Sequence, residues 1–104
     1  MKNKLGEARE IINDVDSKML ELFKKRMDAS RMVAEYKKQN NLPILDSKRE
    51  EELIKKNLDA LNNKELEQYY LTFINGLLDA SKAYQKDLNK KHYALIGDKL
   101  SHSY

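Results

Sequence analysis

Apolar residues recur at alternating steps of three and four through the first 39 residues of the chain. This spacing predicts one long α-helix over residues 5 to about 39, with a heptad-like apolar stripe along one face. The members of the stripe are Leu5, Ala8, Ile12, Val15, Met19, Leu22, Ala29, Val33 and Tyr36. Its one break is Arg26, which places a permanent cation where the pattern requires a hydrophobic residue.

A second helix is predicted over residues 47 to about 61. Pro43 prevents the first helix from continuing and disfavours helical backbone at Leu42, so residues 40–45 are predicted as a loop. Ser47 and Glu50 then have the spacing of a capping box at the start of the second helix. The expected buried side of this helix is Leu53, Ile54, Leu58 and Leu61.

A third helix is predicted to begin after Asn62-Asn63 and to continue to about residue 90. Its expected apolar stripe is Leu66, Tyr70, Phe73, Leu77, Ala80 and Tyr84. The first helix, at about 50 Å, is too long for two shorter helices to cover. Because the uncovered part would be an exposed apolar patch, we expect a second, identical chain to pack against it.

Composition supports an all-α fold class. The apolar pattern divides the chain into one long, one short and one medium helix. Of the 104 residues, 36% are charged and 40% hydrophobic, with three glycines and one proline. The net charge of +3 is too small to indicate a nucleic-acid partner but suits an anionic small molecule. The absence of cysteine excludes thiol chemistry. No apolar run approaches the roughly 18 residues of a membrane span, so we expect a cytoplasmic protein without a membrane partner.

The last residues differ in character. His92-Tyr93-Ala94-Leu95-Ile96-Gly97 is a short β-prone run that ends in glycine, and no other segment could pair with it. It is predicted as the first strand of a further domain. The expected division is therefore a helical domain over residues 1–90 and a linker with a truncated domain start over residues 91–104.

Two cations of the first helix are candidates for anion binding. Arg26 and Lys37 are eleven residues apart, which is about three full turns, so they share a face at a separation of about 16 Å. Two long side chains can converge on one small anion over that distance. For Arg26 alone, a snorkelling or register-fixing role in a helix pair is the alternative.

Further polar candidates cluster at two places: Asp46, Arg49, Glu50, Ser81 and Gln85. The first three crowd the start of the second helix, where carboxylates also serve as caps and favour the helix dipole. Ser81 and Gln85 lie one turn apart beside the stripe of the third helix, where a half-buried polar edge is the alternative.

The chemistry of this set is electrostatic. No member is a nucleophile with a base beside it, so covalent catalysis is not indicated. Both histidines lie in the tail, so no metal site is expected. Such a set can hold a small dianion and stabilise charge that develops during a reaction.

These residues resemble the all-helical class of chorismate mutases over about residues 5–88. The resemblance rests on residues in matching order and nearly matching spacing: Arg9 in Ala8-Arg9-Glu10-Ile11-Ile12, Asp16, Arg26, Lys37 in Tyr36-Lys37, Asp46-Ser47-Lys48-Arg49-Glu50, Ser81 and Gln85. Each motif is weak alone, but the set in register is specific. The resemblance implies three helices per chain, intertwined in a homodimer with two active sites and no cofactor.

The resemblance also implies roles for the candidates. Arg9 and Arg26 would bind the two carboxylates of chorismate, and Lys37 and Gln85 would donate to its ether oxygen. Asp46 and Glu50 would receive the ring hydroxyl, with Arg49 and Ser81 completing the pocket. Arg9 lies seventeen residues before Arg26, about 25 Å along a straight helix, so it is expected to enter the site of the partner chain.

The tail resembles the opening of shikimate dehydrogenases, in which a strand and glycine lead to a His-Ser-x-Ser motif. Residues 92–103 carry this resemblance, with Ser103 in the place of the first serine. Asp98-Lys99 departs from the family, which commonly has proline there. The resemblance implies that the parent is a bifunctional chorismate mutase–shikimate dehydrogenase.

The resemblance to the mutases leaves two rivals. An isochorismate-pyruvate lyase uses a similar fold and pocket, although the dehydrogenase-like tail favours the mutase. A non-catalytic helical dimerisation module would use Arg26 for register and the carboxylates for capping only. The products formed from chorismate and from isochorismate distinguish all three.

Overall fold

In a computed structural model, residues 3–95 are described, and the regular structure among them is entirely α-helical. The helices are α1 (Lys4–Gln39), α2 (Ser47–Leu61), α3 (Lys64–Leu88) and α4 (Lys90–Leu95). The long, short and medium helices agree with the predicted fold class, and α4 is an addition to it. No helix among the described residues is long and apolar enough to cross a membrane.

Side-chain caps fix the helix boundaries. Asn3 accepts from the backbone N–H of Gly6 at the start of α1, and Asn63 accepts from that of Leu66 at the start of α3. The cap of α2 is Asp46, which accepts from the backbone N–H of Arg49 at 3.1 Å. The prediction that Ser47 heads the capping box was therefore wrong by one residue.

The α1 and α3 helices run parallel over the second half of α1. Hydrogen bonds join Arg26 to Ser81, Ser30 to Gln85, and Ala34 to Asn89. The residue numbers therefore increase in the same direction along both helices. The α2 helix runs antiparallel to α3, because Glu50 near its start is paired with Lys82 and its end joins α3 through two residues. This arrangement brings the second half of α1 and the start of α2 to the last turns of α3.

The core is small and lies one residue away from the predicted stripes. On α1 the buried residues are Ser30 and Ala34, whereas Val33 and Tyr36 of the predicted stripe are exposed. On α3 they are Ile74, Leu78, Ser81 and Gln85, and not the predicted line through Phe73 and Leu77. The predicted side of α2 is half-buried against α3, as its periodicity indicated.

The first six turns of α1 extend without intrachain cover. From Lys4 to Lys25 every residue except Gly6 is exposed, including Ile12, Val15, Met19 and Leu22 of the predicted stripe. The single chain is accordingly elongated, with extents of 62 × 26 × 16 Å.

The β-prone run after residue 90 is helical as far as it is described. The α4 helix covers Lys90–Leu95, so the prediction of a strand there was wrong. A lone segment leaves strand hydrogen bonds unmet, whereas a helical turn satisfies its own backbone groups. The remainder of the predicted domain start, including Ser103, lies outside the described residues.

Candidate active site

A cleft of about 320 Å³ lies where α1, α2 and α3 meet, a volume suited to a small molecule. Seven of the eight candidate residues line it: Arg26, Lys37, Asp46, Arg49, Glu50, Ser81 and Gln85. The eighth, Arg9, is exposed on the uncovered part of α1 and does not line this cleft.

Helix geometry explains this assembly. Arg26, Ser30, Val33 and Lys37 occupy successive turns of one face of α1, and this face is directed at the last turns of α3. The loop after Pro43 then returns the chain, so that Asp46 and Glu50 at the start of α2 lie near Lys37. The apolar side chains of Val33, Ile44, Leu53 and Leu78 complete the wall.

The cleft is formally cationic. Arg26, Lys37, Arg49 and Lys82 line it together with the carboxylates Asp46 and Glu50, an excess of two positive charges. This balance favours a dianionic ligand. Among the described residues, no cluster of three or more His, Cys, Asp or Glu side chains could hold a metal ion.

Lys37 is half-buried, and its Nζ donates to the carbonyl oxygen of Ile44 at 2.6 Å. Desolvation by burial lowers the pKa of Lys37 below the ordinary value, and the nearby charges of Asp46 and Glu50 oppose that shift only in part. The result is an ammonium group held at the cleft wall by a fixed backbone contact.

Arg26 and Gln85 are held by serines. The Arg26 guanidinium donates to Ser81 Oγ at 2.6 Å, and Gln85 Nε2 donates to Ser30 Oγ at 2.9 Å. Both serines and Gln85 are buried, while Arg26 is half-buried. The guanidinium is therefore anchored at one nitrogen, and the amide is anchored beside it one turn along α3.

Glu50 and Asp46 differ in their engagement. Glu50 is half-buried and forms an ion pair with Lys82, with Oε2 at 3.1 Å from Nζ. Asp46 is exposed and accepts the capping hydrogen bond described above, so the capping alternative is correct for Asp46 whatever else it contacts. Lys82 Nζ also donates to Glu50 Oε1 at 3.3 Å. Each carboxylate oxygen has more than one lone pair, so both carboxylates keep acceptor capacity for a ligand hydroxyl.

Sequence analysis missed two polar lining residues, Ser30 and Lys82. Ser30 follows Arg26 by four residues and precedes Lys37 by seven, so helical spacing places it on the same face. Lys82 directly follows Ser81, and nothing in the sequence distinguishes it from the many lysines expected at the surface. The signal for Ser30 was present in the spacing, but the signal for Lys82 required the position of Glu50.

The chain is similar in sequence to known proteins. The chain matches the family described as "Chorismate mutase type II" over residues 8–86. It is 34% identical over 94 residues to a "Bifunctional chorismate mutase/prephenate dehydratase" of Buchnera aphidicola subsp. Baizongia pistaciae (strain Bp). That alignment covers 88% of this chain and 25% of the relative, so the chain spans a quarter of the relative's length. No solved structure matches the chain.

Proposed function

Because this chain belongs to the chorismate mutase type II family, we propose that it converts chorismate to prephenate in aromatic amino acid biosynthesis. The observation that carries the proposal is the cleft itself. It combines an excess of two positive charges with an ammonium group and an amide on one wall, and chorismate is a dianion whose reaction develops negative charge.

The rearrangement needs no acid, base or nucleophile. The ether C–O bond breaks while a new C–C bond forms within the same molecule, so atoms and electrons balance without a co-reactant. A pocket can accelerate this step by holding the compact conformer in which the two carbon ends approach each other. It can also stabilise the negative charge that grows on the ether oxygen.

Each lining residue has a role in this proposal. Arg26 binds one carboxylate, since its guanidinium is half-buried and anchored on Ser81. Lys37 and Gln85 donate to the ether oxygen and are the catalytic residues that act on developing charge. Glu50, together with Asp46, accepts a hydrogen bond from the ring hydroxyl. Arg49 and Ser81 complete the binding surface.

Lys82 adds a cation beside Glu50. Its ammonium bridges Glu50 at 3.1 Å and Asp79 at 3.7 Å, which restrains the Glu50 carboxylate at the cleft wall. The side chains of Lys82 and Glu50 are each about three-quarters shielded from solvent. We expect Lys82 to orient the acceptor for the ring hydroxyl.

The second carboxylate requires Arg9 of the partner subunit. Within one chain, α1 is a single helix, so Arg9 and Arg26 are about 25 Å apart along its axis. The uncovered apolar residues on the first part of α1 support an intertwined homodimer, because solvent exposure of such a surface is costly. A dimer that covers them would also bring Arg9 to the other cleft.

The division into domains stays a prediction, with the mutase over residues 1–90. Fusion to a shikimate dehydrogenase also remains a prediction and finds no support in the named relative, whose second activity is prephenate dehydratase. The resemblance rested on residues 92–103, of which residues 92–95 belong to a helix.

One assay tests the proposal. Chorismate and isochorismate are supplied separately to the purified chain, and prephenate, pyruvate and salicylate are measured. Prephenate from chorismate is the expected result. Pyruvate with salicylate from isochorismate would identify a lyase, and no turnover of either compound would leave a dimerisation module.

A further inference from the structure

Ser30 lies at the centre of the contact between α1 and α3, on the wall of the cleft. It is 6% exposed and faces Gln85, which is 7% exposed. Neither the resemblance nor the charge pattern gives it a role. Its hydroxyl group can both donate and accept a hydrogen bond, which distinguishes it from the apolar residues around it.

The hydrogen bonds of this pair leave one atom without a partner. Gln85 Nε2 donates to Ser30 Oγ at 2.9 Å, and Ser30 Oγ donates at a long 3.4 Å to the carbonyl oxygen of Ser81. Gln85 Oε1 is buried and has no hydrogen-bond partner among the described residues. A buried acceptor without a partner costs free energy, so this amide is not in its best environment.

A half-turn of the amide exchanges its two terminal atoms. Oxygen and NH₂ have nearly the same shape, so the exchange needs no rearrangement of neighbouring side chains. In the turned amide, Oε1 takes the place beside Ser30 and accepts the hydroxyl proton at the same 2.9 Å. Ser30 gives up only its long bond to Ser81, and the NH₂ group takes the place of Oε1 on a residue that lines the cleft.

We propose that Ser30 is a positioning residue, whose hydroxyl holds the Gln85 amide with its NH₂ group toward the reacting ether oxygen. This inference rests on the proposed function, because it requires Gln85 to donate to that oxygen. An amide oxygen at the same place would repel the negative charge that develops there. Ser30 stabilises the productive orientation and acts through Gln85.

The first test is a comparison of two Ser→Ala variants on α1. Ser30→Ala should lower kcat by about 3- to 10-fold with KM little changed, the loss of one orienting hydrogen bond. Ser17→Ala makes the same exchange at an exposed position of α1, on the side opposite the predicted apolar stripe, and should keep the wild-type kcat. In a Gln85→Ala background, Ser30→Ala should cause no further loss, because the group it orients is absent.

The second test uses a pH profile that packing alone would not move. Gln85→Glu introduces a carboxyl group that donates only when protonated, so its activity should fall as pH rises through the pKa of that group. The Ser30 hydroxyl donates to the carboxylate and lowers this pKa. Adding Ser30→Ala should therefore move the falling limb to higher pH.

The charged groups that face this carboxyl are the same with and without Ser30. They are Arg26 and Lys37 on α1, Asp46, Arg49 and Glu50 around the start of α2, and Lys82 on α3. A shift of the limb between the two variants is therefore assigned to the hydroxyl group at position 30.

Failure of the inference is distinct from failure of the proposed function. Equal kcat in Ser30→Ala and Ser17→Ala, an additive loss in the Gln85→Ala background, or an unmoved pH limb would each overturn the role of Ser30. Absence of prephenate formation by the wild-type chain would overturn the proposed function and this inference with it. Wild-type activity in Gln85→Ala would overturn the role of Gln85 and therefore this inference, but not the proposed function.

Discussion

At the scale of single residues, Lys37 is the most informative side chain. Its ammonium lies on the cleft wall, donates to the Ile44 carbonyl and is partly desolvated. A fixed cation in a partly dry site interacts more strongly with developing charge than one in water. The proposal therefore assigns Lys37 to the transition state more than to substrate binding.

Replacement of Lys37 tests this assignment. Lys37→Ala should lower kcat by at least about 10²-fold, because the lost donor acts on charge that is largest in the transition state. The matched control is Lys38→Ala, an exposed neighbour that does not line the cleft. Circular dichroism should show equal helicity in both variants. Near-normal turnover in Lys37→Ala would refute the role of Lys37.

The lowered pKa of Lys37 predicts an alkaline limit to activity. The ammonium must be charged, so kcat/KM should be full below its pKa and fall as pH rises through it. Since burial lowers the pKa, this limb should lie below the 10.5 of an ordinary lysine. Lys37→Arg, whose guanidinium stays charged, should lack the limb whatever its absolute activity. Persistence of the limb in that variant would assign it to another group.

Sequence spacing predicted the charged members of the cleft better than the neutral ones. Arg26 and Lys37 were identified because a cation on an apolar face is unusual and has a countable phase. Ser30 occupies the same face but has no charge to mark it, and Lys82 acquires meaning only beside Glu50. The contacts that orient Gln85 depend on an interhelical register that no local pattern contains.

At the scale of elements, the parallel contact between α1 and α3 determines the site. Three of its hydrogen bonds join residues 55 positions apart, at Arg26–Ser81, Ser30–Gln85 and Ala34–Asn89. The last of these lies beyond the cleft, where Asn89 Nδ2 donates to the Ala34 carbonyl at 2.7 Å. Asn89 is 5% exposed, so this bond is shielded from water.

Loss of that bond should affect stability more than catalysis. Asn89→Ala should lower the free energy of unfolding by about 1–2 kcal/mol, since it removes a buried hydrogen bond. Asn75→Ala, at an exposed position within α3, is the control and should not destabilise the fold. Urea unfolding at one fixed protein concentration measures both, because the proposed dimer would make stability depend on concentration. An unchanged midpoint for Asn89→Ala would show that the bond does not hold the helices together.

Helix boundaries were predictable, whereas helix faces were not. Pro43 and the asparagine and aspartate caps act locally, so the ends of α1 and α2 agree with prediction within one residue. The intrachain core lies one residue from the predicted stripes of α1 and α3, because each helix carries apolar residues on more than one side. Val33 and Phe73 are apolar but exposed within one chain, and only the packing partner decides which side is buried.

At the scale of the whole molecule, we expect one chain to be incomplete as a catalyst. Arg9 is exposed and does not line the cleft of its own chain, and the first six turns of α1 have no intrachain cover. The account therefore requires that each active site combine Arg26 of one subunit with Arg9 of the other. This is its central claim, since it joins the fold, the exposed apolar surface and the charge of the substrate.

Mixed dimers test the claim most directly. Arg9→Ala and Arg26→Ala homodimers should each be nearly inactive, because every site lacks one carboxylate ligand. The two variants are then unfolded and refolded together in equal amounts. In a mixed dimer, one site receives both substitutions and the other receives neither. With random pairing, half of the dimers are mixed, so chorismate turnover should return to about a quarter of wild type.

The control is each variant refolded alone, which should stay inactive. Differently tagged subunits show by co-purification whether mixed dimers have formed. Recovery to about a quarter of wild-type prephenate formation is the result that the account predicts. Mixed dimers that form but remain as inactive as either parent would contradict it, because Arg9 would then not act across the interface.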